Sequence, residues 1–284
     1  MTRTQRIRRY NQIRKRYEEF FYAPLKRVMK AQISSFTKVL RSQGTEAVRS
    51  VVRIDADLAK VVEQIYVRTG LASANETLGY LRKLPKRQSK YRTFGFNAEW
   101  TEQILEYFNL NLYNKVVLPI SETTQAYILD TVSRGVKEGW TIEEMVQHIE
   151  REDYLNGRVR RILRTEIGRA INYGNTLSEE KFEYKTLKEW NSLHDNRTRH
   201  PHLTADGQQV NLDGTFSVGG EQLQFPGDPA GSAKNTVNCR CLVLINAQRD
   251  EKGRLILKNE PKPLPKLRGR LRAEFQSILA ELTS

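Results

Sequence analysis

Residues 190–207 read WNSLHDNRTRHPHLTADG, and with Asn238-Cys239-Arg240-Cys241 they hold three of the chain's four histidines and both of its cysteines. Pro201 removes a backbone donor and Asp206-Gly207 favours a turn, so this is not a plain amphipathic element. The expectation is an ordered loop between two strands.

Two arrangements suit these residue types. In one, His202, Cys239 and Cys241 surround a zinc ion, helped by His194, Asp195 or His200, because imidazole and thiolate are its usual ligands. Four groups are needed and the spacing supplies three. Cys239 and Cys241 are two apart, whereas zinc knuckles use a two-residue gap. In the other, Asp195, Arg197, Arg199 and His202 form a hydrogen-bonded network that pins the loop, and the cysteines are small packing residues. The network is preferred, because guanidinium groups fix carboxylates and carbonyls and are poor company for a metal cation. No cofactor is therefore expected, with zinc at His202, Cys239 and Cys241 as the exception to test.

Upstream, a helix is expected over about Asn156–Phe182, with Val159, Ile162, Leu163, Ile167, Ala170 and Ile171 on one stripe. Glu166 lies on the same stripe. A carboxylate in a core-facing row needs a partner, and Arg164, Arg169, Arg197 and Arg240 are the candidates. The favoured reading is an ion pair tying this helix to the histidine-rich loop, not a general acid or base.

Taken together, Arg164-Thr165-Glu166, Asn172, Trp190, Asp195, Arg197-Thr198-Arg199, His202, Asp206-Gly207 and Asn238-Cys239-Arg240-Cys241 resemble, in order and spacing, the phage Mu F-like head morphogenesis family. The resemblance covers about residues 115–246. It implies a minor head protein of a tailed phage or prophage: a few copies enter the procapsid, bind the portal, scaffold or major capsid protein, and contact packaged DNA. The implied place is the head interior of the virion, after assembly in the host cytoplasm. Some relatives carry a second cysteine pair where Arg199 and His202 stand here, which would complete a four-cysteine zinc site.

Charge is distributed unevenly. Residues 1–96 contain 22 Lys and Arg against 7 Asp and Glu, while residues 97–284 contain 25 against 26, so the whole +14 excess lies in the first third. Such asymmetry points to a polyanion, and double-stranded DNA bound without regard to sequence is the expected partner. The candidate phosphate contacts are Arg3, Arg6, Arg8, Arg9, Arg14, Lys15 and Arg16 on a helical arm, and Arg82, Lys83, Lys86, Arg87, Lys90 and Arg92 in a second cluster. No stretch approaches twenty apolar residues and the N-terminus lacks a signal-peptide core, so a membrane is not expected. Two cysteines with a single residue between them exclude a disulfide framework.

The remaining chain reads mostly as helix. Residues 3–42 are periodic, with Pro24 expected to kink or interrupt them; residues 55–84 follow, with Gly70 expected to break them. Asn97 and the Pro119 region start further helices, Gly139 ends one, and Thr141-x-x-Glu144 is a capping box. Past Tyr184 the pattern turns strand-like at 187–193, 208–212, 221–225 and 239–245. The expected fold is α+β: a helical N-terminal part, then a mixed domain with a long helix packed on a small antiparallel sheet. The expected divisions are a basic helical region at 1–96, the Mu F-like domain at 97–246 (helices 97–183, sheet 185–246), and a proline-containing linker with a C-terminal helix at 247–284. A metal-dependent hydrolase or nuclease built on His194, Asp195, His200 and His202 is the alternative function. It lacks the clustered carboxylates that phosphodiester chemistry uses.

Overall fold

The computed structural model describes residues 1–51, 55–84 and 97–258. Helix α1 spans Arg3–Gln43, and its start is written in the sequence: Thr2 accepts the Gln5 amide at 3.2 Å while the Gln5 side chain accepts the Thr2 amide at 2.8 Å. It runs through Pro24 without interruption. Pro24 sits on the partly exposed side, where solvent can reach the carbonyl it leaves unpaired. Helix α2 spans Ala56–Arg82 and likewise continues through Gly70.

The next helical segments adjoin without a break. Helix α3 (Asn97–Tyr107) passes into a π-helical segment, Phe108–Val117, and then into α4 (Leu118–Glu138). Pro119 occupies the first turn of α4, the helix start expected there. Gly139, left-handed at φ 71°, ends α4, and the Thr141/Glu144 capping box launches α5 (Ile142–Ile149) as expected. Helix α6 spans Glu152–Leu177, starting four residues before the expected position and closing in a 3₁₀ turn, Ser178–Lys181.

The strands are β1 (Thr186–Asn191), β2 (Gln209–Val210), β3 (Phe216–Val218), β4 (Glu221–Leu223) and β5 (Leu242–Ala247). They make an antiparallel sheet of order β2-β1-β5 and a separate β3-β4 hairpin. Strand β3 was not expected, because three residues between Thr215 and the Gly219-Gly220 turn are too few to show a period. A short helix α7 (His200–Ala205) lies inside the stretch expected as loop. Pro201 is tolerated at its first turn because that N–H would have no helical partner. Another, α8 (Ala233–Thr236), precedes the Asn238 turn.

Helices α1, α2 and α6 share one core, which includes Phe21, Leu25, Ile65, Leu163 and Ile171. Strand β5 joins that core to a second one by alternation: Leu242 and Leu244 pack with the helices, while Val243 and Ile245 pack with Trp190, Phe216 and Leu223. The basic N-terminal residues are thus built into the folded unit from Arg3 onward.

Strand β5 is an edge strand, and its open side is closed by side chains. Asn172 accepts the Val243 amide at 2.8 Å and donates to the Cys241 carbonyl at 3.1 Å; Asn175 donates to the Val243 carbonyl at 2.9 Å. Arg6 of α1 donates to the Ile245 carbonyl at 2.8 Å and to the Asn246 side chain at 2.7 Å. Backbone groups that would otherwise be buried without partners are satisfied in this way.

Candidate functional site

The site forms where the loop after β1, helix α7 and the turn before β5 meet. Trp190, fully buried at the end of β1, fixes one wall and presents a T-shaped contact to His202, with ring centres 5.6 Å apart. Gly207, left-handed at φ 78°, turns the chain back so that its amide bonds the Trp190 carbonyl at 2.9 Å. Asp206 beside it accepts the Ser192 amide at 2.7 Å and faces His194 Nε2 at 2.9 Å.

Asp195 and Arg240 make the central polar link. Both guanidinium Nη atoms of Arg240 donate to the Asp195 carboxylate, each at 2.6 Å. Thr198 Oγ1 and the Arg197 amide donate to the same carboxylate at 3.0 and 3.1 Å. The Arg240 guanidinium, aided by Thr198 and Arg197, holds the Asp195 carboxyl well below the usual carboxylate range. Arg197 contributes only its backbone; its exposed side chain has no partner among the described residues. Arg199 donates to the Val237 carbonyl at 2.6 Å. Of the expected network, Asp195 is joined to the Arg197 amide with Arg240 as the fork, whereas Arg199 and His202 bond elsewhere.

Asn238 adopts φ 62°, a left-handed position that asparagine tolerates. Its amide bonds Thr165 Oγ1 at 2.9 Å and its side chain accepts from Arg164 at 3.2 Å, so the cysteine turn is fastened to α6. Glu166 points elsewhere. It accepts from Arg169 at 2.8 Å and from the Tyr66 hydroxyl at 2.7 Å, while Arg169 also donates to the Gly227 carbonyl. The carboxylate is paired within α6 and to α2, and the expected tie to the histidine-rich loop is absent. The reason is reach: Arg169 is one turn along the same helix.

His202, Cys239 and Cys241 do converge. All three are buried, with His202 Nδ1 at 3.3 Å from Cys241 Sγ and 3.6 Å from Cys239 Sγ. The hydrogen bond between the two sulfurs pushes the Cys239 thiol down, helped by His202, and the Cys241 thiol up. The two cysteines precede β5 instead of lying in it, because the Asn238 turn delays the strand. Their ligand atoms and that of His202 lie within 4.8 Å of one another, close enough for a shared ion, but no fourth His, Cys, Asp or Glu among the described residues joins them. Arg14 is buried beside them, with Nε and Nη2 lacking hydrogen-bond partners and with charge coupling to both sulfurs. Three ligands next to a buried cation do not fit a closed structural zinc site. His194, Asp195, His200 and His202 form no metal-holding group among the described residues: His194 faces Asp206 and Asp195 faces Arg240.

The residues proposed for DNA separate into distinct groups. Arg8, Lys15, Arg16 and Lys83 are exposed. Arg3 pairs with Glu189 at 3.2 Å and Arg9 with Glu76 at 3.2 Å, while Arg82 is half-buried. Arg6 and Arg14 are buried, Arg6 on the β5 edge and Arg14 against the Arg240 carbonyl at 3.2 Å, which removes both from any contact with phosphate. A helix whose charges wrap every face must turn some inward once it packs. Lys86, Arg87, Lys90 and Arg92 lie outside the described residues. Sequence reasoning missed Asn175 and Tyr66, which carry no local signal because their partners are a hundred residues distant or on another strand.

Residues 126–244 match the family model described as Phage Mu protein F like protein. Over that segment the chain is similar to the Phage Mu F-like family. The Mu F-like segment begins within α4 and ends within β5, so it holds the whole site, whereas α1 and α2, which supply much of the core, lie outside it. Among curated proteins the chain is 28% identical over 121 residues to NAD(+)--arginine ADP-ribosyltransferase EFV of Enterococcus faecalis (strain ATCC 700802 / V583), covering 41% of this chain and 25% of that protein. It is 22% identical over 166 residues to the uncharacterized protein YqbB of Bacillus subtilis (strain 168), covering 57% of this chain and 50% of that protein. The chain thus spans a quarter to a half of the length of these relatives. No solved structure matches.

Proposed function

We propose that this chain is a non-catalytic minor head protein of a phage or prophage, acting in head assembly next to the portal and contacting packaged DNA through its basic N-terminal third. The match of residues 126–244 to the Phage Mu F-like family carries the reading. The site supports it, since its conspicuous side chains are spent on holding the fold: Asp195 on Arg240, Glu166 on Arg169 and Tyr66, Arg199 on Val237. Chemistry would require a nucleophile or base free to meet a substrate. The activity in the name of the Enterococcus relative belongs to a protein of which this chain covers a quarter, and no group among the described residues calls for it.

The DNA contact is expected at Arg8, Lys15, Arg16 and Lys83, joined by the basic run 86–92. Four to six phosphates neutralised at once would give a slope of log affinity on log salt of roughly −4 to −5 with duplex DNA. The test is a salt titration of the full chain with duplexes of unrelated sequence, beside the Arg8/Lys15/Arg16→Gln variant. Sequence-independent binding with a flatter slope in the variant is expected; equal slopes would mean that the basic third faces an acidic protein. Incubation with duplex DNA and magnesium or manganese should leave it intact, and cleavage would return the hydrolase reading. Copies of the protein in procapsids assembled with a portal, and their loss without one, would test the assembly role.

A further inference from the structure

A cleft of about 460 Å³ lies between the start of α4, one side of α6 and the segment 229–237. Helix α6 floors it with Arg158, Arg161, Ile162, Thr165, Glu166 and Arg169, residues spaced three and four apart and so aligned on one side. At 1.5 Å per residue this row is roughly 16 Å long, the span of about five extended residues. Pro119, Ile120, Pro229 and Val237 make its walls apolar.

The charge is one-sided. Lys115, Arg158, Arg161 and Arg169 line the cleft against the single carboxylate of Glu166, which is already held by Arg169 and Tyr66. Arg158 donates only to neutral oxygens, Thr124 Oγ1 at 3.0 Å and the Ile120 carbonyl at 2.6 Å, so its charge has no counter-ion there. Lys115 and Arg161 are exposed and reach no carboxylate among the described residues. This is not a by-product of general basicity: residues 97–284, where all four cations lie, hold 25 Lys and Arg against 26 Asp and Glu. Desolvated arginine without a counter-ion is costly unless a ligand supplies one.

We propose that this cleft is the docking site for an acidic segment of another protein, bound extended along α6 with an apolar side chain between its carboxylates. Arginine clusters recognise acidic motifs by bidentate pairing, and the volume is that of a ligand pocket, not of a duplex groove. The apolar walls favour a peptide over nucleic acid, whose backbone offers nothing to fill them. The inference stands whether or not the N-terminal face binds DNA, and the test keeps the two apart.

The probe is a display library of ten-residue peptides selected on the full chain at physiological ionic strength. Enrichment of sequences with two or more Asp or Glu flanking Leu, Ile or Val is expected. A synthetic peptide from that pool should bind the Lys115→Glu/Arg161→Glu variant at least tenfold more weakly, with an unchanged melting midpoint because neither side chain has a structural partner. Duplex DNA affinity should change far less. Selection of neutral or basic peptides, or equal affinity of an acidic peptide for the variant, would overturn the proposal. So would a variant that loses duplex DNA and peptide by the same factor, since the cleft would then be a phosphate surface.

Discussion

Gly174 of α6 lies against Gly70 of α2 so closely that a Cβ on Gly174 would stand 2.2 Å from the Gly70 carbonyl oxygen. The two helices touch backbone to backbone here. Ser73 and Thr77 of α2 meet Asn175 of α6 through hydrogen bonds at 2.5 and 2.8 Å just beside the crossing. Gly174→Ala is expected to force the helices apart and to cost about 1–3 kcal/mol, the range for overpacking a core. Gly157→Ala, on the same helix with open space around it, should instead stabilise by about 0.4–1 kcal/mol. Urea unfolding of both variants checks the pair; equal effects would mean that the crossing is looser than described.

Asn172 closes the edge of β5, and its loss should be felt on the strand. Asn172→Leu keeps the volume but leaves the Val243 amide and the Cys241 carbonyl buried without that partner, at about 1–3 kcal/mol for an unsatisfied group. Amide hydrogen exchange should accelerate at Val243 before it does at Val159 on the far part of α6. Unchanged protection at Val243 would assign the edge to other groups.

Asp195 makes acid sensitivity predictable in sign. Its folded pKa is depressed below the unfolded value of about 3.9, so its contribution is present above that pH and is lost as pH falls below it. Asp195→Asn should flatten the acid limb of stability against pH. Arg240→Gln should do the same by removing the fork. Arg197→Ala should leave the curve as it is, since that residue lends only a backbone amide.

Lys188 behaves in the opposite range. It is buried in β1, donates to the Gly214 and Gln224 carbonyls at 2.7 and 3.0 Å, and burial pushes its ammonium down to about 8. The unfolded chain, near pKa 10.4, binds more protons between these values, so stability should rise as pH climbs from about 8 to 10.4. Lys188→Met should lose that rise while also losing the hydrogen bonds to the hairpin. A wild-type curve flat across this window would show that the carbonyl cage holds the charged form.

Zinc should not be required for folding. Arg14 places positive charge against Cys239 and Cys241, and His202 is their only further ligand among the described residues. Protein purified with a chelator throughout should melt at the same temperature as protein given zinc. Stoichiometric metal whose removal abolishes the transition would overturn this, and Arg14→Met would then be expected to tighten binding.

What was legible in the sequence is what local physics decides. The Thr141/Glu144 box, the Gly139 stop, the long α6 stripe and the shift to strand-like alternation past Tyr184 all follow from backbone capping and period, which depend on neighbours a few residues apart. The order of Trp190, Asp195, Asp206-Gly207 and Cys239-Arg240-Cys241 likewise marked where the site would form. What tertiary structure alone decided is which partner each polar group takes. Glu166 chose Arg169 and Tyr66, Asp195 chose Arg240, and Arg6 and Arg14 turned inward to the β5 edge and the cysteines. Gly70 and Pro24 failed as helix breakers for the same reason: a close crossing with α6 makes use of one, and α1's long packed face carries the helix through the other. Burial raises the worth of a distant partner above any local preference, and sequence spacing holds no record of distance in space.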